Sequence, residues 1–137
     1  MLELSFRNLP HRRIWIALGL ALIAAIWVLS LIPAPPQVGV DHEDKMEHFL
    51  AYGTLMLWWA QISGRTRDRF IMAIAFVVMG VVIEFVQDFT AWRTYEVNDM
   101  IANSIGVAVG WVIACTPAGS LLTRLKNLRT SSSTGIN

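Results

Sequence analysis

Charge is scarce in this chain. Only 15% of its 137 residues are Asp, Glu, Lys or Arg, 55% are apolar, and the mean hydropathy is +0.51. Soluble domains carry roughly 25% charged residues, so a water-exposed globule is excluded and the composition is that of a small integral membrane protein. Cysteine is nearly absent too. The single Cys115 excludes an intrachain disulfide, and its apolar setting near the end of a hydrophobic run points to inert packing. The basic residues form no patch with interleaved aromatics, which argues against nucleic acid as a partner. The net charge of +1 averages over segments on different sides of a membrane and says little about partners.

What is abundant is apolar sequence, in four runs: Ile14 to Ile32, Phe49 to Ile62, Phe70 to Phe89 and Met100 to Thr116. Pro33, Pro35 and Pro36 end the first, because proline cannot continue a helix. The stretch from Ser63 to Arg69 ends the second. A spanning helix needs about 20 residues. The first and third runs meet this alone; the second does so by absorbing the polar stretch from Asp44, and the fourth by beginning near Asp99. The expectation is an all-α, integral membrane four-helix transmembrane bundle over 14–116, with helices at about 14–32, 45–63, 70–89 and 99–116. A basic N-terminal segment, 1–13, precedes it, and a basic amphipathic then disordered tail, 117–137, follows. The first run, 19 residues long, is taken as a retained helix, since the apolar core of a signal peptide spans about 7–15 residues.

Orientation follows from lysine and arginine, which concentrate on the cytoplasmic side. Arg7, Arg12, Arg13, Arg65, Arg67, Arg69, Arg124, Lys126 and Arg129 fall on one face, leaving Lys45 and Arg93 on the other. Both termini are therefore expected in the cytoplasm of a multi-pass membrane protein. The polar stretches Asp44 to His48, Glu84 to Asp88 and Asp99 to Asn103 then share the outer ends of helices two, three and four. With a rise of about 1.5 Å per residue, His48, Glu84 and Asn103 lie about 6 to 8 Å below those ends. Helical phase places Asp44, Lys45, His48 and Tyr52 on one face, Gly80, Glu84, Gln87 and Asp88 on a second, and Asp99, Asn103, Gly106 and Gly110 on a third. Ala102, Gly106, Gly110 and Ala114 form a small-residue stripe suited to close helix approach, which makes helix four the expected packing centre.

Asp44-Lys45-x-x-His48-Phe49-x-x-Tyr52, then Glu84-x-x-Gln87, then Arg93 with Asp99-x-x-x-Asn103-x-x-Gly106-x-x-x-Gly110, together resemble the VanZ-like family of small bacterial membrane proteins. Trp92 departs from the pattern, which has a small residue before the arginine. The family takes its name from a protein associated with low-level resistance to the glycopeptide teicoplanin, so the resemblance implies a setting in cell-envelope chemistry and raises antibiotic tolerance as a phenotype.

Ionisable groups at membrane depth are functional candidates by default. The ligand-binding candidates are Asp44, Lys45, His48, Tyr52, Glu84, Gln87, Arg93, Asp99 and Asn103; the catalytic candidates are His48, Glu84 and Asp99. Three hypotheses compete. The cluster binds or handles a lipid-linked cell-wall or polysaccharide precursor, with Lys45 and Arg93 meeting phosphate. Alternatively, His48, Glu84 and Asp99 serve an enzyme acting on a lipid phosphate, by acid–base chemistry or through a metal; no Ser or Cys nucleophile motif accompanies them. Or the cluster is a brace in a structural subunit of an envelope assembly. In that last case Gln87 and Asn103 are interhelical glue, Asp44 and Asp99 cap their helices, and Arg93 anchors at the interface beside Trp92. No cofactor and no metal ligand set is assigned from sequence. The partners expected are the lipid bilayer, a lipid-linked precursor, and a second copy or an envelope protein. Trp58, Trp59 and Trp111 are assigned to packing or lipid contact.

Overall fold

The apolar runs fold into four helices in the computed structural model: α1 (Arg12–Leu31), α2 (His42–Ile62), α3 (Thr66–Asp88) and α4 (Val97–Cys115), followed by a 3-10 turn at Pro117–Ser120. The structure describes residues 5–33, 42–90, 92–93, 95–121, 124–125 and 127–128, without the side chains of 42–44. Asp41, Lys126, Arg129 and the tail expected to be disordered lie outside the described residues. α1, α3 and α4 are each long and apolar enough to cross a membrane. The chain is a multi-pass membrane protein. α2 is 21 residues long but opens with Glu43, Asp44, Lys45 and Glu47, which dilute its apolar content.

All four helices begin before expected, α1 at Arg12 and not Ile14. α3 starts at Thr66 and not near Phe70, α4 at Val97 and not near Asp99, and α2 at His42 and not near Lys45. In α3 the extra turn holds because its charges have partners. Asp68 is buried and accepts the backbone N–H of Ser5 at 3.0 Å. Arg69, only 8% exposed, donates to the carbonyls of Ala114 at 2.5 Å and Gly119 at 2.9 Å. It therefore satisfies carbonyls that a helix end leaves without intrahelical partners, and its fork suits two acceptors at once. Arg65 and Arg67 are exposed, so Arg69 alone of that trio is an internal strut.

Arg7 meets the same end of the bundle, donating from its backbone to Ile62 at 2.8 Å and from its side chain to Gly119 at 2.9 Å. Burial, and then the neighbouring charge of Arg69, hold the Arg7 guanidinium below its ordinary pKa. Phe6 bridges Ser63, and Gly64 donates to the Ser5 carbonyl at 2.7 Å. The start of α1 and the end of α4 thus lie at one end of the bundle.

α4 packs most extensively on α2 and next on α3. Glycine makes this possible: Gly106 faces the Phe49 carbonyl and the Gly53 backbone, and Gly110 faces the Gly53 carbonyl and Met56. α1 is peripheral. Its one buried residue, Gly19, meets the rings of Trp58 and Trp59, while Trp15 and Trp58 stack with centroids 5.3 Å apart. Trp59 packs on Phe76 and Trp111 on Phe70. Cys115, expected in the packing, is exposed on α4; Ala114 beside it takes the buried position.

Candidate functional site

The other end of the bundle gathers the polar residues. α3 delivers Glu84, 0% exposed, and α4 delivers Asp99 at 5% and Asn103 at 1%. α2 places half-buried His48 between them. His48 Nδ1 lies 3.1 Å from Asn103 Oδ1, and Nε2 lies 3.5 Å from Asp99 Oδ2. Since an amide oxygen only accepts, Nδ1 carries the proton in this arrangement. One ligand atom from each of His48, Glu84 and Asp99 lies within 4.8 Å of the others. The phase argument therefore holds at these positions, and the three helices do converge.

The supporting residues sort clearly. Tyr52 is buried against Gly80 and Asn103. Its hydroxyl, like Asn103 Nδ2, has no hydrogen-bond partner among the described residues. Gln87 Nε2 donates to the Ser30 carbonyl at 2.8 Å, tying α3 to the end of α1, which is a structural duty. Trp92 Nε1 donates to the Leu31 carbonyl at 3.0 Å, so the residue that departs from the motif closes the last turn of α1. Asp88 points outward at the end of α3 and stands apart from the cluster. Asp44 lies in the first turn of α2, its side chain outside the described residues.

Asp99 is not the cap of α4. The N-cap is Glu96, whose carbonyl accepts the Asp99 N–H at 3.1 Å. Because the helix begins two residues earlier than expected, Asp99 is turned inward to His48. Glu96 is itself a residue that sequence reasoning missed. Its carboxylate pairs with Lys45 Nζ at 3.4 Å, and its N–H approaches Glu84 Oε2 at 3.4 Å. The available signal was its position just before a helix of inward-facing polar groups.

A cavity of about 130 Å³ opens beside the cluster, between α1 and α2. Ile26, Leu29 and Ala51 give it an apolar flank; Ser30, Glu47, His48, Tyr52 and Arg93 give it a polar one. An imidazole against carboxylates can move protons or ligate an ion through nitrogen and oxygen. Lys45 and Arg93 add cationic charge for an anion.

A family model described as VanZ/LLP1 matches residues 37–122. That span includes α2, α3, α4 and every member of the polar cluster. Over 112 residues the chain is 28% identical to an uncharacterized protein of Schizosaccharomyces pombe, covering 80% of this chain and 67% of that protein. No solved structure matches.

Proposed function

The chain belongs to the VanZ/LLP1 family, and from that premise we propose that it binds the phosphate-bearing headgroup of a lipid-linked envelope intermediate in the cleft between α1 and α2. The observation that carries this reading is the two-sided lining of the cleft. Ile26 and Leu29 face a lipid chain, while Arg93 and His48 face a headgroup. Cations at a membrane interface are natural partners for phosphate. At about 130 Å³ the cavity is roughly ten times what one water needs, which is room for a phosphate. Lys45, held near the rim by Glu96, adds charge at the approach.

In this reading α2 is the fourth crossing, the termini are cytoplasmic, and the cluster faces outward in a bacterial cytoplasmic membrane. The exposed arginines at the opposite end, Arg12, Arg13, Arg65 and Arg67, support that orientation. A relative in a yeast, an organism without a peptidoglycan wall, favours polyprenyl phosphate chemistry in general over a glycopeptide-specific role. Teicoplanin tolerance would then be a consequence of handling envelope precursors.

The test is binding of polyprenyl phosphate to the full chain in nanodiscs, alongside protein abundance in cells. Preference over bulk phospholipid, weakened by Arg93→Ala at unchanged abundance, is the expected result. Equal partitioning of polyprenyl phosphate and bulk lipid would refute it. Loss of abundance in Glu84→Gln and His48→Ala, with no binding in any variant or the parent, would instead favour the brace.

A further inference from the structure

We propose that His48, Glu84 and Asp99 form a divalent-cation site, taking zinc or manganese through one imidazole nitrogen and two carboxylate oxygens. The inference does not depend on which lipid enters the neighbouring cleft.

The His48–Asp99 distance suits an ion. A charge-assisted N–H···O bond closes to about 2.7–2.9 Å, whereas His48 Nε2 and Asp99 Oδ2 stand 3.5 Å apart. Tetrahedral ligands bonded at about 2.1 Å are separated by about 3.4 Å along each edge of the tetrahedron. The observed gap fits the second geometry. Glu84 completes the group, its ligand atom within 4.8 Å of both others. Its contact with the Glu96 N–H is 3.4 Å, near the limit for a hydrogen bond, so that contact gives little resistance to the small approach an ion would require.

The tautomer of His48 points the same way. Nδ1–H donates to Asn103 Oδ1 at 3.1 Å, and Nε2 faces the Asp99 carboxylate at 3.5 Å. A neutral imidazole in that pose offers Nε2 to a cation shared with Asp99. Metal-bound histidines characteristically donate their other ring N–H to a fixed acceptor that sets tautomer and ring orientation, the part Asn103 plays here.

Burial supplies the energetic reason. Glu84 and Asp99 are 0% and 5% exposed, and two carboxylates in one small space at membrane depth gain from a divalent charge added to their protein partners. Tyr52 and Asn103, both 1% exposed, each bring a polar atom without a hydrogen-bond partner to this layer, the Tyr52 hydroxyl and Asn103 Nδ2. Three protein ligands leave a coordination position open for water. The absence of thiolate from the set selects ions content with nitrogen and oxygen.

The experiment uses the full chain in nanodiscs, stripped with chelator and titrated with zinc, manganese or cobalt chloride. One ion per chain is expected by elemental analysis. Glu84→Gln, Asp99→Asn and His48→Ala each lower affinity by at least tenfold, and Asn103→Ala lowers it by about 10- to 100-fold, as for other residues that orient a ligand. Asp88→Asn, exposed at the end of α3, leaves it unchanged. Should the site variants fail to fold, the parent protein still decides the matter. Cobalt must produce visible d–d absorption that zinc displaces one for one. A substoichiometric ion content in the parent, or parental affinity in the Glu84→Gln/Asp99→Asn double variant, overturns the proposal.

Discussion

Replacing Gly106 with alanine tests the packing on which the polar layer depends. In an unconstrained helix interior, glycine to alanine is worth about 1 kcal/mol of stabilisation. At Gly106 the added methyl falls within contact distance of the Phe49 carbonyl oxygen, 3.1 Å from the Phe49 carbonyl carbon and 3.2 Å from Gly53 N. All three are backbone atoms, so no side chain can swing aside. α2 and α4 must separate by about 1 Å to restore ordinary van der Waals distances. Overpacking of this kind costs about 1–3 kcal/mol, and backbone against backbone belongs at the upper end. The same separation stretches the His48–Asn103 bond from 3.1 Å beyond hydrogen-bonding range, forfeiting about 0.6 kcal/mol more. Subtracting the propensity gain leaves a net loss of about 2.5 kcal/mol. Reversible unfolding in mixed micelles, followed by circular dichroism, measures it. A variant as stable as the parent, or more so, would refute the close α2–α4 approach.

Arg69→Ala should cost about 3 kcal/mol, because the Ala114 carbonyl at the end of α4 and the Gly119 carbonyl in the following 3-10 turn lose a charged, buried donor; Arg69→Lys should recover less than half of that in the same titration. Trp92→Phe keeps the ring but removes the bond to Leu31, and should lower stability by about 1 kcal/mol while leaving polyprenyl phosphate binding intact. The partly exposed Lys45–Glu96 pair, 3.4 Å apart, should contribute less than about 1 kcal/mol in a double-mutant cycle. Lys45→Ala should nevertheless weaken binding of phosphate-bearing lipid and flatten its salt dependence, measured in nanodiscs at two ionic strengths.

The helices were legible because long apolar runs have few alternatives, and the convergence of His48, Glu84 and Asp99 because antiparallel connections bring alternate helix ends to one level. Phase then selected the inward faces, down to Gly80 and Gly106. Other features had no local signal. Arg69 sits among Arg65, Arg67 and Asp68 and reads as one more interfacial charge; its burial is decided by the Ala114 and Gly119 carbonyls, 45 and 50 positions away. Trp92 reads as an interfacial aromatic until the end of α1 is seen beneath it. The cleft was illegible for a similar reason. Its apolar wall comes from α1, a helix without an ionisable residue at that depth, so nothing in its sequence marked it as part of a site.

The glycines and the polar trio act as one device. Gly106 lies three residues beyond Asn103, about 4.5 Å along α4, and it meets α2 between Phe49 and Gly53, one to five residues past His48. The interhelical spacing set at that contact therefore fixes how far His48 stands from Asp99 and Asn103 on the turns just above. A brace needs only some hydrogen-bonded separation and would tolerate repacking by a larger residue that stabilised the bundle elsewhere. A site in which an imidazole stands 3.5 Å from a carboxylate is carried further from ligand geometry by a backbone shift of about 1 Å, since metal–ligand distances hold to about 0.2 Å. Second-site changes that restore the stability of Gly106→Ala without restoring ion affinity would therefore separate the two roles, whereas restored stability in a protein whose parent binds no ion would mean that the polar layer only holds the helices together.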